Sequence, residues 1–209
     1  MKDSSPRRAD ADARRQHIVD AASACVRRSG FHGASMSEIA SAAGLSVGQI
    51  YRYFENKEAI IEAIVARDTA EMRDIFGELI GTKGPLLDAI LDKCCSAVDD
   101  AYDRDHAALA LEVVAEAARN PAVARILQAA DGEQRPLKLE MIARTAPPGC
   151  SDAELRARSE VISMLFEGMI VAGVKHPAAD RDAIAQVMRS VLAHLFAAPS
   201  MSKNTAGET

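Results

Sequence analysis

Apolar residues recur at helical spacing in one segment of this chain after another, and no stretch alternates with the period of two that a half-buried strand requires. That pattern rules out a sheet core and predicts an all-α protein. Composition agrees, because a chain rich in alanine, with no Trp and only 4% aromatic residues, suits stacked helices better than a sheet. With 209 residues it is long enough for one extended domain or two small ones.

About nine helices are expected. The first covers about Ala11 to Arg28 and stops at Gly30; the second starts at a capping box, Ser35-Met36-Ser37-Glu38, in which each side chain should satisfy the other's amide. Gly44 ends it, and Ser46 caps a third short helix running to Tyr53. Asn56-Lys57-Glu58 opens a long fourth helix that stops before Gly81. A fifth carries Leu87, Ile90, Leu91, Cys94 and Val98, and a sixth ends at Asn120-Pro121. The seventh should reach about Arg144 with a disturbance between Gly132 and Pro136, before Pro147-Pro148-Gly149 breaks the chain. The eighth, about 152–174, is apolar on nearly every face except at Glu167, and the ninth, about 181–196, has a strong apolar stripe. A helix that apolar must be covered on all sides, so these two are expected to pair with their symmetry copies in a homodimer. Residues 1–12 and 199–209 lack periodicity and read as disordered tails.

Net charge is −5, but the average conceals a split: residues 1–67 hold 10 Lys and Arg against 8 Asp and Glu, and the remainder is net −7. The basic excess lies in the N-terminal third. No apolar run approaches the roughly 20 residues of a membrane span and the N-terminus lacks a signal-peptide core, so a cytoplasmic protein is expected. Cys25, Cys94, Cys95 and Cys150 lack metal-site spacing, and the five histidines form no i,i+4 pair. With no phosphate loop, nucleophile motif or paired carboxylates, neither an enzyme, a cofactor nor a metal is expected.

Two short helices meeting at a tight glycine turn can project the second into a DNA major groove. The exposed face must then be short and polar, which Ser46, Gln49 and Arg52 satisfy, while Gly48 lets the backbone approach closely. Gln49 could bond an adenine edge and Val47 touch a thymine methyl. Phe54, Leu45 and Ile50 read as core. Tyr51 and Tyr53 could belong to either.

The run Gly44-Leu45-Ser46-Val47-Gly48-Gln49-Ile50-Tyr51-Arg52-Tyr53-Phe54-Glu55-Asn56-Lys57-Glu58 resembles the TetR family of transcriptional regulators, and the likeness extends over about Arg15 to Val65. The resemblance implies a helix-turn-helix DNA-binding domain at 13–57 and a ligand-binding and dimerisation domain at 58–198. It also implies phosphate donors at Ser35, Ser37, Tyr51, Tyr53 and Lys57, and a repressor that leaves a palindromic operator when a small, largely apolar ligand binds. Ala108 to Pro121 is similar to the matching region of glucuronide-operon and efflux-pump regulators of that family.

On the family's pattern the ligand pocket lies between helices four and eight, with candidate walls at Leu91, Cys95, Val98, Leu109, Val113, Phe166 and Met169 and candidate counter-ions at Glu112, Glu116 and Glu167. The alternatives are a helical adaptor for a protein partner and a thiol-based redox sensor acting through Cys94 and Cys95. Pairing of the acidic groups with Arg119 or Arg125 stands beside the ligand reading.

Overall fold

The computed structural model describes residues 6–197, and no strand occurs among them. The helices are α1 (Pro6–Gly33), α2 (Met36–Ala42), α3 (Val47–Ile50), α4 (Lys57–Ile80), α5 (Leu86–Asp92), α6 (Cys94–Ala101), α7 (Arg104–Ala117), α8 (Pro121–Thr145), α9 (Asp152–Lys175) and α10 (Arg181–Ala197). The expected fifth helix is two, α5 and α6, divided at Lys93. The halves serve different cores: α5 packs Leu86, Ile90 and Leu91 into one cluster, α6 packs Val98, Ala101 and Tyr102 into another.

The expected N-terminal tail needs correction. Residues 1–5 lie outside the described residues, as does the expected tail at 199–209, but from Pro6 the chain is helical. Proline suits a first helical turn, and this stretch has no apolar stripe to betray it in the sequence. A second correction concerns α8, which runs unbroken through Pro136. The proline removes one bond at the exposed Gly132 carbonyl, while Asp131 spans the point by pairing with Arg135 (2.9 Å) and Lys138 (3.1 Å).

The described residues form two compact units, one comprising the chain up to Asp68 with Ala108–Ala130, the other Thr69–Ala107 with the chain from Asp131 onward. The boundaries fall inside α4, α7 and α8. The first unit therefore contains the segment expected to read DNA and adds parts of α4, α7 and α8 to it.

In the first unit Ile18, Ala22 and Cys25 of α1, Ile39 of α2 and Ile50 of α3 are wholly buried together with Phe54, Ile60 and Ile64. A neighbouring cluster joins Phe31 and the α4 residues Ile61 and Val65 to Val113 of α7 and Val123 of α8. Gly30 interrupts α1 with φ 70°, a left-handed conformation that favours glycine, and ends the helix proper where the sequence places its stop. Gly44 turns the chain between α2 and α3 at φ 63°.

The caps are redistributed. Ser35 accepts from the Glu38 amide at 3.1 Å, but the Glu38 carboxylate turns away to the Arg28 guanidinium and the Ser29 hydroxyl, so the capping box is only half formed. A charged donor outcompetes a neutral amide. The full box is in α3, where Ser46 Oγ accepts from Gln49 N (3.3 Å) and Gln49 Oε1 accepts from Ser46 N (2.8 Å). Its Ser-x-x-Gln spacing was available in the sequence.

In the second unit, one cluster gathers Leu79, Leu86, Ile90, Leu91, Met141, Ile142, Leu192 and Phe196, and another gathers Val98, Ala101, Tyr102, Met169 and Ala185. Phe166 and Met188 border both. Arg158 and Glu154 form a buried pair at 2.7 Å, and Arg158 also donates to the Leu195 carbonyl at 3.2 Å. Closest approach is at Gly173, where a Cβ would lie 2.9 Å from the Ala101 carbonyl oxygen and 3.1 Å from Tyr102 Cα.

Because those neighbours are backbone atoms that cannot rotate aside, Gly173→Ala should destabilise the protein by about 1–3 kcal/mol, read as a lowered denaturation midpoint. A second prediction concerns acid. The Arg28 guanidinium, by donating to Glu38, holds that carboxyl below the usual carboxylate range. A depressed folded value means that the stabilisation is complete above the unfolded value, about 4.3, and is lost as pH falls through the lower folded one. Glu38→Gln should therefore flatten the acid limb of the denaturation midpoint plotted against pH. A limb identical to wild type would show that the pair contributes nothing.

Candidate nucleic-acid interface

Helix α3 has only four residues, far too few to form alone, and is held by what surrounds it. Ile50 and Phe54 anchor it in the core, and its amides continue in turns to Phe54, with Tyr53 N on Ile50 O at 2.8 Å and Phe54 N on the same oxygen at 3.0 Å. Arg15 of α1 lies over the Phe54 ring at 4.3 Å and donates to the Tyr53 carbonyl at 2.6 Å. His17 Nε2 is 3.0 Å from the Ala43 carbonyl oxygen at the end of α2. Arg15 thus ties α1 to the turn that follows α3.

With its anchors turned inward, α3 presents Ser46, Val47, Gly48, Gln49, Tyr51 and Arg52 to solvent. Val47 is 40% and Tyr51 53% exposed, large values for apolar and aromatic side chains. Gly48 has no positive φ, and a Cβ there would meet nothing within 4 Å, so nothing inside the chain requires glycine. Its use in a helix costs about 1 kcal/mol relative to alanine. Ser35 and Ser37 are exposed beside this surface, their hydroxyls 2.9 Å apart. Tyr53 is half-buried against the core.

Two of the expected DNA residues are already engaged. Gln49 Oε1 is the capping acceptor described above, which leaves its Nε2 free for other partners. Lys57, in the first turn of α4 after the Asn56 cap, donates from Nζ to the Phe31 carbonyl at 2.6 Å and lies over the Phe31 ring at 4.1 Å. That contact explains a cation placed at the positive end of a helix.

The candidate ligand residues do not form one group. Leu91, Val98, Phe166 and Met169 belong to the cores of the second unit, Cys95 is exposed, and Glu167 is exposed on α9. Leu109, Val113, Glu112 and Glu116 belong to the first unit. Glu112 Oε2 accepts from the Phe31 amide at 3.3 Å. The buried Glu116 carboxylate meets His32 Nδ1 (3.3 Å), Arg119 (3.4 Å) and Asn120 Nδ2 (3.2 Å). Glu116 is thus enclosed by partners, whereas Glu112 borders a cavity of the first unit together with Ser29, Gly30, Phe31, His32 and Arg119. The contacts to Phe31 and His32 span more than 80 positions of sequence and no local signal announces them, whereas Glu116–Arg119 is a pairing that the sequence offered.

Cys94 is buried with its thiol toward the Ala185 carbonyl at 3.6 Å, and burial pushes that thiol up, away from the reactive thiolate. Among the described residues no cluster of three potential metal ligands occurs, and no helix is long and apolar enough to cross a membrane.

Comparison with known proteins extends the likeness over most of the chain. Residues 18–64 match the model of bacterial regulatory proteins of the tetR family, and residues 85–197 match that of the BetI-type transcriptional repressor C-terminal domain. The HTH-type transcriptional regulator UidR of Escherichia coli K12 is 34% identical over 120 residues, covering 57% of this chain and 59% of the relative, so the match spans about three-fifths of that relative's length. Among solved structures, Salmonella enterica GusR aligns with a TM-score of 0.75 at 24% identity, covering 94% of this chain and 99% of that one. The FadR regulator of Bacillus subtilis, solved in complex with stearoyl-CoA, aligns with a TM-score of 0.72 at 19% identity over 85% of this chain and 97% of its own. At these identities the structures establish a shared fold, and the family models establish membership: the chain belongs to the TetR family of bacterial regulatory proteins.

Proposed function

We propose that this protein is a homodimeric transcriptional repressor that binds a palindromic operator through α3 and is released by a small, largely apolar ligand. The observation that carries the DNA reading is the outward face of α3. It is polar apart from Val47, contains a glycine that no internal contact demands, and sits on a scaffold held by long-range ties. A helix that docks on another protein would present an apolar stripe instead. Val47 and Gln49 act as base readers, and a bidentate adenine contact by Gln49 replaces its hydrogen bond to Ser46 when DNA binds. Ser35, Ser37, Tyr51 and Tyr53 supply phosphate donors, and Arg52 lies beside them.

The dimer reading is supported by the second unit. Val161, Met164, Val171 and Val174 form a stripe on α9, and Val187 and Val191 another on α10, all 37–65% exposed in the single chain. Such a face is what two copies would bury against each other. The ligand reading rests on the family and on the flexible lining of the second unit, where Phe166 and Met188 sit between two cores and can repack.

The first test is selection of random duplex DNA by the purified protein. An inverted repeat should be enriched, with a steep negative dependence of affinity on salt. Tyr51→Ala should weaken binding about tenfold on every sequence, whereas Gln49→Ala should also relax preference at one base position. If no sequence is enriched and binding stays weak at low salt, the adaptor reading replaces this one. For the dimer, Met164→Glu combined with Val187→Glu should halve the mass in sedimentation, and Val114→Glu, at an exposed site on α7, should leave it unchanged. A double variant that sediments as wild type would overturn the assigned interface.

A further inference from the structure

The two peptide groups that flank Phe31 are each gripped by a charged side chain remote in sequence. Its amide donates to Glu112 Oε2 of α7 at 3.3 Å, and its carbonyl accepts from Lys57 Nζ of α4 at 2.6 Å, with the ammonium also over the Phe31 ring at 4.1 Å. Hydrogen bonds with one charged partner are stronger than neutral ones, and here two successive peptide groups, those before and after Phe31, each have one. The grip sits where the chain leaves α1 and has only three residues before the Ser35 cap of α2.

Gly30 is shaped for it. A Cβ at Gly30 would lie 3.2 Å from Glu112 Oε2 and 3.6 Å from its Cδ, so glycine supplies both the left-handed turn and the room for the carboxylate. A second tie follows one residue on, His32 Nδ1 to the buried Glu116 at 3.3 Å, four residues along the same face of α7. Asn120 links Glu116 to Glu58, the neighbour of Lys57, through contacts of 3.2 and 3.4 Å.

We infer that Glu112 and Lys57 are positioning residues for operator binding: by clamping the peptide groups on either side of Phe31 they set where α2 begins and so how the α2–α3 pair is presented, without either touching DNA. The inference rests on the DNA reading proposed above. It assigns Lys57 to the Phe31 carbonyl instead of to a phosphate, and the two assignments differ in a measurable way. A lysine that neutralises a phosphate contributes about 0.9 to the slope of log affinity against log salt, whereas a clamp contributes nothing to it.

The test measures affinity and salt slope on the enriched operator, well below the unfolding temperature, for the full-length dimer and its variants. Lys57→Met and Glu112→Ala should each weaken binding about tenfold or more with the slope unchanged. The double variant should lose little beyond either single one, because both break the same clamp. Glu112→Gln keeps an acceptor for the Phe31 amide, so it should restore wild-type affinity and slow hydrogen exchange at that amide, while Glu112→Ala accelerates the exchange. Simple loss of a nearby negative charge would make both Glu112 variants bind more tightly, and that outcome overturns the inference. A slope reduced by about 1.8 in Lys57→Met, about 0.9 for each of the dimer's two lysines, would return this lysine to the phosphates. Wild-type affinity in Glu112→Ala would remove the clamp, and failure of the wild-type protein to enrich any sequence would fail the DNA reading first and the inference with it.

Discussion

The structure of the first unit depends on burying apolar side chains from segments too short to be helices by themselves. With seven residues α2 and with four α3 cannot offset the cost of nucleating a helix, and they exist because Ile39, Ile50 and Phe54 enter a core with Ile18, Cys25 and Ile64 from the two long helices. Every outward-facing property of α3 follows from that anchoring. The residues left to face solvent are those between the anchors, so the composition of the exposed row is set by the positions the core does not use.

Apolar burial fixes depth but orients poorly, and the orientation comes from directional bonds. Arg15 to the Tyr53 carbonyl and His17 to the Ala43 carbonyl end on backbone groups of the α2–α3 segment, and the two grips on Phe31 end on the backbone that leads into it. A contact to backbone positions a segment without depending on its side chains, so the exposed row can vary while its frame stays constant. Glu112 and Glu116 bring part of α7 into this frame, which is why the compact unit that holds the reading helices includes Ala108–Ala130.

The second unit is organised differently. Its cores are built from interleaved residues of α5, α6, α9 and α10, with a close backbone approach at Gly173 and a buried Arg158–Glu154 pair. What it leaves exposed is apolar instead of polar. The two exposed faces thus differ in character, largely polar around α3 and apolar on α9 and α10.

The sequence by itself determined the helical class, nearly all the helix boundaries, the glycine turn and the segment by which the family is identified, because periodicity, caps and positive-φ glycines are local signals. It erred where a local rule met a competitor beyond its window. Glu38 left its capping box for Arg28, α8 passed through Pro136 under ion pairs, and the chain from Pro6 extended α1 without an apolar stripe. Tertiary structure alone decided the fate of the long polar side chains. Lys57 and Glu112 became a clamp, and the candidate ligand residues separated into different cores. A charged side chain carries several angstroms of reach and no periodicity, so its partner is set by whatever donor or acceptor the fold brings within that reach, and this chain brought Phe31 and Glu112 together across 81 positions.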